Sequence, residues 1–158
     1  MTPQEIRDAI AASPELQALA AARNDSEIAQ LLSAGRKRQD AATKFASLGI
    51  AERFPALGGI PGPLAAEMVL QKLEGFAVAA QQSQDATIKL LGAATARQMR
   101  HLEGGGMAIG SPAVAAMLAV IVQAGALTQV EADALTSIAS VDDPVPIGAV
   151  SDALNKGA

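Results

Sequence analysis

SPAVAAMLAVIVQAGALTQVEADAL, residues 111–135, is the stretch whose reading decides the fold. Ser111 before Pro112 marks a helix start. A serine hydroxyl accepts from the free amides of a first turn, and proline at the first helical position forfeits no hydrogen bond. Every residue from Ala113 to Val122 is apolar, so the run predicts a core helix covered on all sides. Its contact stripe is Val114, Met117, Leu118, Ile121 and Val122. The run is too short to span a bilayer, which takes about 20 apolar residues, and too far along the chain for a signal peptide. Gly125 supplies the left-handed residue that ends the helix. Thr128 with Glu131 is a capping box for the next helix, which turns Val130, Ala134, Leu135 and Ile138 inward. Asp142-Asp143-Pro144-Val145-Pro146 stops that helix, because two prolines cannot continue it. A last helix, Pro146 to Asn155, presents Ile147, Val150 and Leu154 at steps of three and four.

Upstream, a long helical pattern runs from Pro63 towards Leu102. Leu64, Met68, Leu73, Phe76, Ala77 and Ala80 form one stripe, and Ile88, Leu91, Ala94, Met99 and Leu102 resume it. The polar Gln81-Gln82-Ser83-Gln84 between them fits either one interrupted helix or two helices. Gly75 and Gly92 weaken the pattern by about 1 kcal/mol each relative to alanine, while small residues allow close helix contact. Gly104-Gly105-Gly106 ends the pattern and is the candidate hinge or boundary. It is not a nucleotide loop, since Ile109 stands where the third glycine of Gly-x-Gly-x-x-Gly belongs and no strand precedes it.

The first 35 residues read as three very short helices. Thr2-Pro3-Gln4-Glu5 is a capping box with Ile6 and Ile10 behind it. Ser13-Pro14-Glu15 starts a second helix with Leu16 and Leu19 inward, and Asn24-Asp25-Ser26-Glu27 a third, which Gly35 ends. Isolated helices under about 12–15 residues are marginal, so these must pack on each other or on a partner.

Arg36-Lys37-Arg38 follows. It reads as a solvated basic cluster near a helix end, or as a contact for an acidic partner or a phosphate backbone. Residues 39–63 then scatter Phe45, Leu48, Ile50, Phe54 and Leu57 among Gly49, Pro55, Gly58, Gly59, Pro61, Gly62 and Pro63. Large apolar side chains are out of place in a free linker. This segment either drapes over the protein's own core or docks as an arm on a neighbour. Arg36, Lys37, Arg38, Phe45 and Phe54 are the candidate partner contacts.

The fold class expected is all-α: small helical domains of short capped helices around an irregular Gly/Pro-rich middle. Its segments are 1–35 (short-helix module), 36–62 (arm or linker), 63–103 (long helical segment) and 104–158 (C-terminal helical module). Half of the residues are hydrophobic, but alanine dominates them and aromatics are only 2%, which favours helix with a thin core. No alternation of period two stands out. A net charge of -4 argues against a general nucleic-acid binder. The helix-turn-helix candidate, Ala113 to Ser140, lacks any Lys or Arg to meet phosphate. With no cysteine, disulfides and thiolate metal sites are excluded. No secretory or membrane-spanning signal is read, so a cytoplasm is the default location, with release by lysis open.

No catalytic constellation emerges. His101 is the one histidine, beside a glycine run, and reads as a surface residue. No nucleophile elbow, His-Glu-x-x-His pair or EF-hand loop is present. Asp142 and Asp143 could attract a cation, but beside Pro144 they read as turn caps. Glu67, Glu74 and Asp85 lack the histidines of a di-metal site. No enzyme, cofactor or metal is expected.

The opening Ile6-x-x-x-Ile10-Ala11-Ala12-Ser13-Pro14-Glu15-Leu16-x-x-Leu19 and Asn24-Asp25-Ser26-Glu27-Ile28-Ala29 resembles small alanine-rich proteins encoded among tailed-bacteriophage structural genes. So does the ending: Met117-Leu118, Ala124 to Thr128, Glu131 to Leu135, Pro144-Val145 and Val150-Ser151-x-Ala153-Leu154. The resemblance implies a non-enzymatic virion component of the tail, baseplate or connector region, assembled in the host cytoplasm. Its partners would be other virion proteins and copies of itself. A cytoplasmic helical adaptor, or an assembly chaperone absent from the finished particle, is the alternative.

Overall fold

The computed structural model describes residues 1–155. Among the described residues the regular secondary structure is helical apart from two three-residue strands. The N-terminal elements are α1 (Pro3–Ala12), α2 (Pro14–Ala21), α3 (Asp25–Ser33) and β1 (Lys37–Gln39). The middle holds α4 (Ser47–Arg53), α5 (Gly62–Gln81), α6 (Ala86–Gly104), α7 (Pro112–Gln123) and α8 (Gln129–Ser137). The chain ends in β2 (Ser140–Asp142) and α9 (Ile147–Asn155).

Two compact units result. One joins Met1–Arg38 to Val141–Ala158, and the other is Gln39–Ser140. This differs from four consecutive segments. The expected 104–158 module is cut after Ser140, because Val145, Val150 and Ala153 bury in one cluster with Ile6, Ile10 and Ile28. Residues 156–158 of that expected module lie outside the described residues. Nor is the glycine run a boundary. Gly106 has φ +84, and a Cβ there would sit 3.0 Å from the Phe45 carbonyl carbon, so it is packed inside the second unit.

In the first unit, each short helix starts as its cap dictates. Thr2 Oγ1 accepts from the Glu5 amide (3.3 Å), and the Thr2 amide donates to Glu5 Oε2 (2.7 Å). That amide, then the Thr2 hydroxyl, holds the Glu5 carboxyl below its ordinary range. Ser13 and Asn24 cap α2 and α3. Ser33 Oγ donates to the Ala29 carbonyl (2.5 Å) and accepts from the Val145 amide (2.8 Å), which fastens the C-terminal segment onto α3. Ile147, expected inward, is exposed at the first position of α9; Ala153 takes the buried place.

The strands pair with each other. The Asp40 amide donates to the Ala139 carbonyl (2.8 Å) and the Asp143 amide to the Arg36 carbonyl (3.2 Å), an antiparallel register with Arg38 opposite Val141. Runs this short leave no alternation to read in sequence.

In the second unit, α5 and α6 form a hairpin, and α4, α7 and α8 complete one core with Leu73, Ile109, Leu118, Ile121 and Leu135 at its centre. Four faces depart from expectation. On α6, Ala94 is exposed while Gly92 and Thr95 are buried. Helix α7 buries Val114, Met117, Leu118 and Ile121 but exposes Ala115, Ala116, Ala119 and Val120. It is covered on one side, not all round. Alanine leaves so little apolar area in water that an all-apolar run need not be enclosed. On α8, Val130 is exposed and Ala132 is buried instead. On α5, Leu64 and Met68 face outward while Ala65, Ala66 and Val69 are buried. The small side chains win the inner face because α5 starts hard against the preceding loop: a Cβ on Gly62 would stand 2.0 Å from the Phe54 carbonyl oxygen.

The middle segment is not an arm. It holds α4 and a tight turn in which Leu57 and Ile60 exchange backbone hydrogen bonds across Gly58 (φ +58) and Gly59 (φ +83). Two successive positive φ values are what a primed turn needs, and glycine takes them without strain.

Candidate functional site

The five residues singled out as partner contacts fall into two sets. Phe45 and Phe54 are 6% and 5% exposed, in the core of the second unit. As contact residues they are therefore corrected: a buried ring is not offered to a neighbour. Phe45 pairs its backbone with Met107 (3.0 and 2.9 Å), and the Arg53 guanidinium lies 5.4 Å from its ring centre. Such stacking lets the cation stay near the surface while its field meets the ring face. Of the two readings of the middle segment, packing on self is the one realised.

Arg36 and Lys37 are matched within the chain. Arg36 Nη2 lies 2.6 Å from Asp143 Oδ2, and Lys37 pairs with Asp142 across the strand ribbon. Asp142 and Asp143 thus bind side-chain cations, which gives both charged runs a fastening role in the first unit. Arg38 is exposed. His101 is exposed, and its carbonyl accepts the Gly105 (3.0 Å) and Gly106 (2.6 Å) amides that close α6. Among the described residues no group of three or more His, Cys, Asp or Glu could hold a metal ion. No described helix is long and apolar enough to cross a membrane.

One buried carboxylate stands out. Glu131 is 9% exposed, and its Oε1 accepts from Lys72 Nζ at 2.5 Å while Oε2 accepts from the Thr128 amide at 2.8 Å. Burial pushes its pKa up, but the Lys72 hydrogen bond and the Thr128 amide and hydroxyl outweigh this and leave it lowered. A carboxylate held ionised by two partners is a structural clamp between α5 and α8, with no proton to give at neutral pH.

The α5–α6 hairpin also exposes apolar side chains. Besides its buried stripe, α5 exposes Leu64, Met68 and Val78, and α6 exposes Leu90 at 73%. A groove of about 340 Å³ between the two helices is lined by Glu74, Ala77, Val78, Gln81, Ala96, Met99 and Arg100. Sequence reasoning missed Val78 and Leu90 because each sits in an apolar run, where the exposed and buried faces look alike. The spacing Glu67, Gln71, Glu74, Val78 does mark a second α5 face at steps of four, three and four. No family model, curated protein or solved structure matches this chain.

Proposed function

We propose that the protein is a non-enzymatic structural component of a tailed-phage virion, in the tail, baseplate or connector region, acting through protein–protein contacts. The resemblance of both chain ends to alanine-rich phage structural proteins supplies the setting. The observation that carries the contact role is α5, which keeps Leu64, Met68 and Val78 in solvent beside a complete buried stripe. Apolar side chains lined along one helix are costly in water and gain by meeting a partner. Its partners on this reading are other virion proteins and copies of itself, and it is assembled in the host cytoplasm.

Mass spectrometry of purified particles tests the proposal. A fixed copy number per particle supports it, and the number indicates the symmetry of the site. Absence from particles, with the protein present in infected cells, overturns it in favour of an assembly chaperone or a cytoplasmic adaptor.

A further inference from the structure

The geometry points to the α5–α6 groove as a homodimer interface, occupied by the same groove of a second copy of this chain. The inference is independent of where the protein works.

The groove has an apolar floor, with Ala77 and Val78 from α5 and Ala96 and Met99 from α6. Its rims carry opposite charges at one level, Glu74 on α5 and Arg100 on α6. Among the described residues three ion pairs form, and neither of these two groups takes part in one. The helices run antiparallel, with Gly92 against Ala80 at one end and Glu103 sharing a groove wall with Glu67 at the other. A two-fold axis lying along such a groove turns the face onto itself. Helix α5 of one copy then covers α6 of the other at the same level. Glu74 meets the partner subunit's Arg100, and Arg100 meets the partner subunit's Glu74, while Val78 and Met99 fill the seam. At the Glu74–Arg100 level the face is self-complementary in charge.

Its size is adequate. Helices of 20 and 19 residues are each about 30 Å long, and side by side they present a face about 20 Å wide. Packing face to face would bury about 1,200 Å² in total, the lower end of stable interfaces. The same operator sets Glu67 level with the partner subunit's Glu103. That like-charged level weakens the dimer and supplies a second, opposite test.

The experiment is sedimentation equilibrium of the full chain from low micromolar to near-millimolar concentration, with circular dichroism of each variant. The wild type is expected to reach twice the monomer mass. Glu74→Arg and Arg100→Glu should each weaken association about tenfold or more, and the two together should restore it. Glu103→Gln should tighten it, with helicity unchanged throughout. A monomer at every concentration overturns the inference. So does a dimer that ignores both single charge reversals, or one that the double variant fails to restore.

Discussion

Gly92 lies against Ala80, so that a Cβ on Gly92 would stand 2.6 Å from the Ala80 Cβ and 3.1 Å from the Ala77 carbonyl oxygen. The α5–α6 crossing is therefore as close as backbones allow. Gly92→Ala must push the helices apart, at a cost of about 1–3 kcal/mol for an overpacked site. Gly75, also inside a helix, has nothing within 4 Å of the equivalent position. Gly75→Ala should stabilise by about 0.5–1 kcal/mol, since alanine restricts the unfolded chain. Urea unfolding of the two variants should give shifts of opposite sign. Equal shifts would mean that the crossing is looser than this.

The contrast shows where sequence reading works. Helix starts are written in local chemistry, and Thr2, Ser13, Asn24, Ser111 and Thr128 each cap the helix expected of them. Helix faces are another matter in an alanine-rich chain. Ala65 and Ala66 are buried while Leu64 and Met68 are not, because closeness of approach, not side-chain size, decides which face turns in. Periodicity could not separate Gly75 from Gly92, since only the neighbouring helix distinguishes them. The pairing of the chain ends was equally hidden: it depends on a strand register fixed by residues a hundred positions apart.

Glu131 gives a pH dependence of definite sign. Its carboxyl titrates lower in the folded protein than in the unfolded chain. Its contribution is therefore complete above the ordinary glutamate range and is lost as pH falls through the lowered folded value. The Lys72 side chain is 43% exposed, so the charge contribution of the pair is limited by solvent to about 0.5–1 kcal/mol. Glu131→Gln should cost that amount near neutral pH and lose less stability than the wild type on acidification. Thr128→Ala removes both the helix cap and a hydroxyl that helps hold Glu131 ionised, so it should cost about 1 kcal/mol near neutral pH and less in acid. A Gln variant with the same pH profile as the wild type would show that another group governs the acid limb.

The middle segment makes a sharper test of the fold. Phe45, Ile50 and Phe54 all bury in the second unit. Deleting residues 39–60 should thus abolish its cooperative unfolding, where a docked arm would be dispensable. Phe54→Ala alone should cost about 3–5 kcal/mol, as for other large-to-small core changes, and Leu118→Ala about 2–5 kcal/mol. Thermal unfolding followed by circular dichroism reads all three. A deletion variant that keeps its helicity and melts like the wild type would return the segment to the role of an arm.

The strand register makes the first unit separable. Arg38 stands opposite Val141, with Asp143 bonded to Arg36 one step out and Lys37 paired with Asp142 between. Two directly paired residues are what a two-residue hairpin loop joins. Asn-Gly placed between Arg38 and Val141 should close the ribbon and replace everything from Gln39 to Ser140. The product keeps α1, α2, α3 and α9 with all eight buried residues of their cluster, Ile6, Ile28 and Val150 at its centre. A domain this small is marginal, so a low but cooperative melting transition with helical circular dichroism is expected. Ile28→Ala should abolish that transition, because it removes buried contacts worth about 2–5 kcal/mol from a domain with little to spare. A joined chain with no transition, while the full protein folds, would show that the N-terminal helices draw their stability from beyond their own cluster.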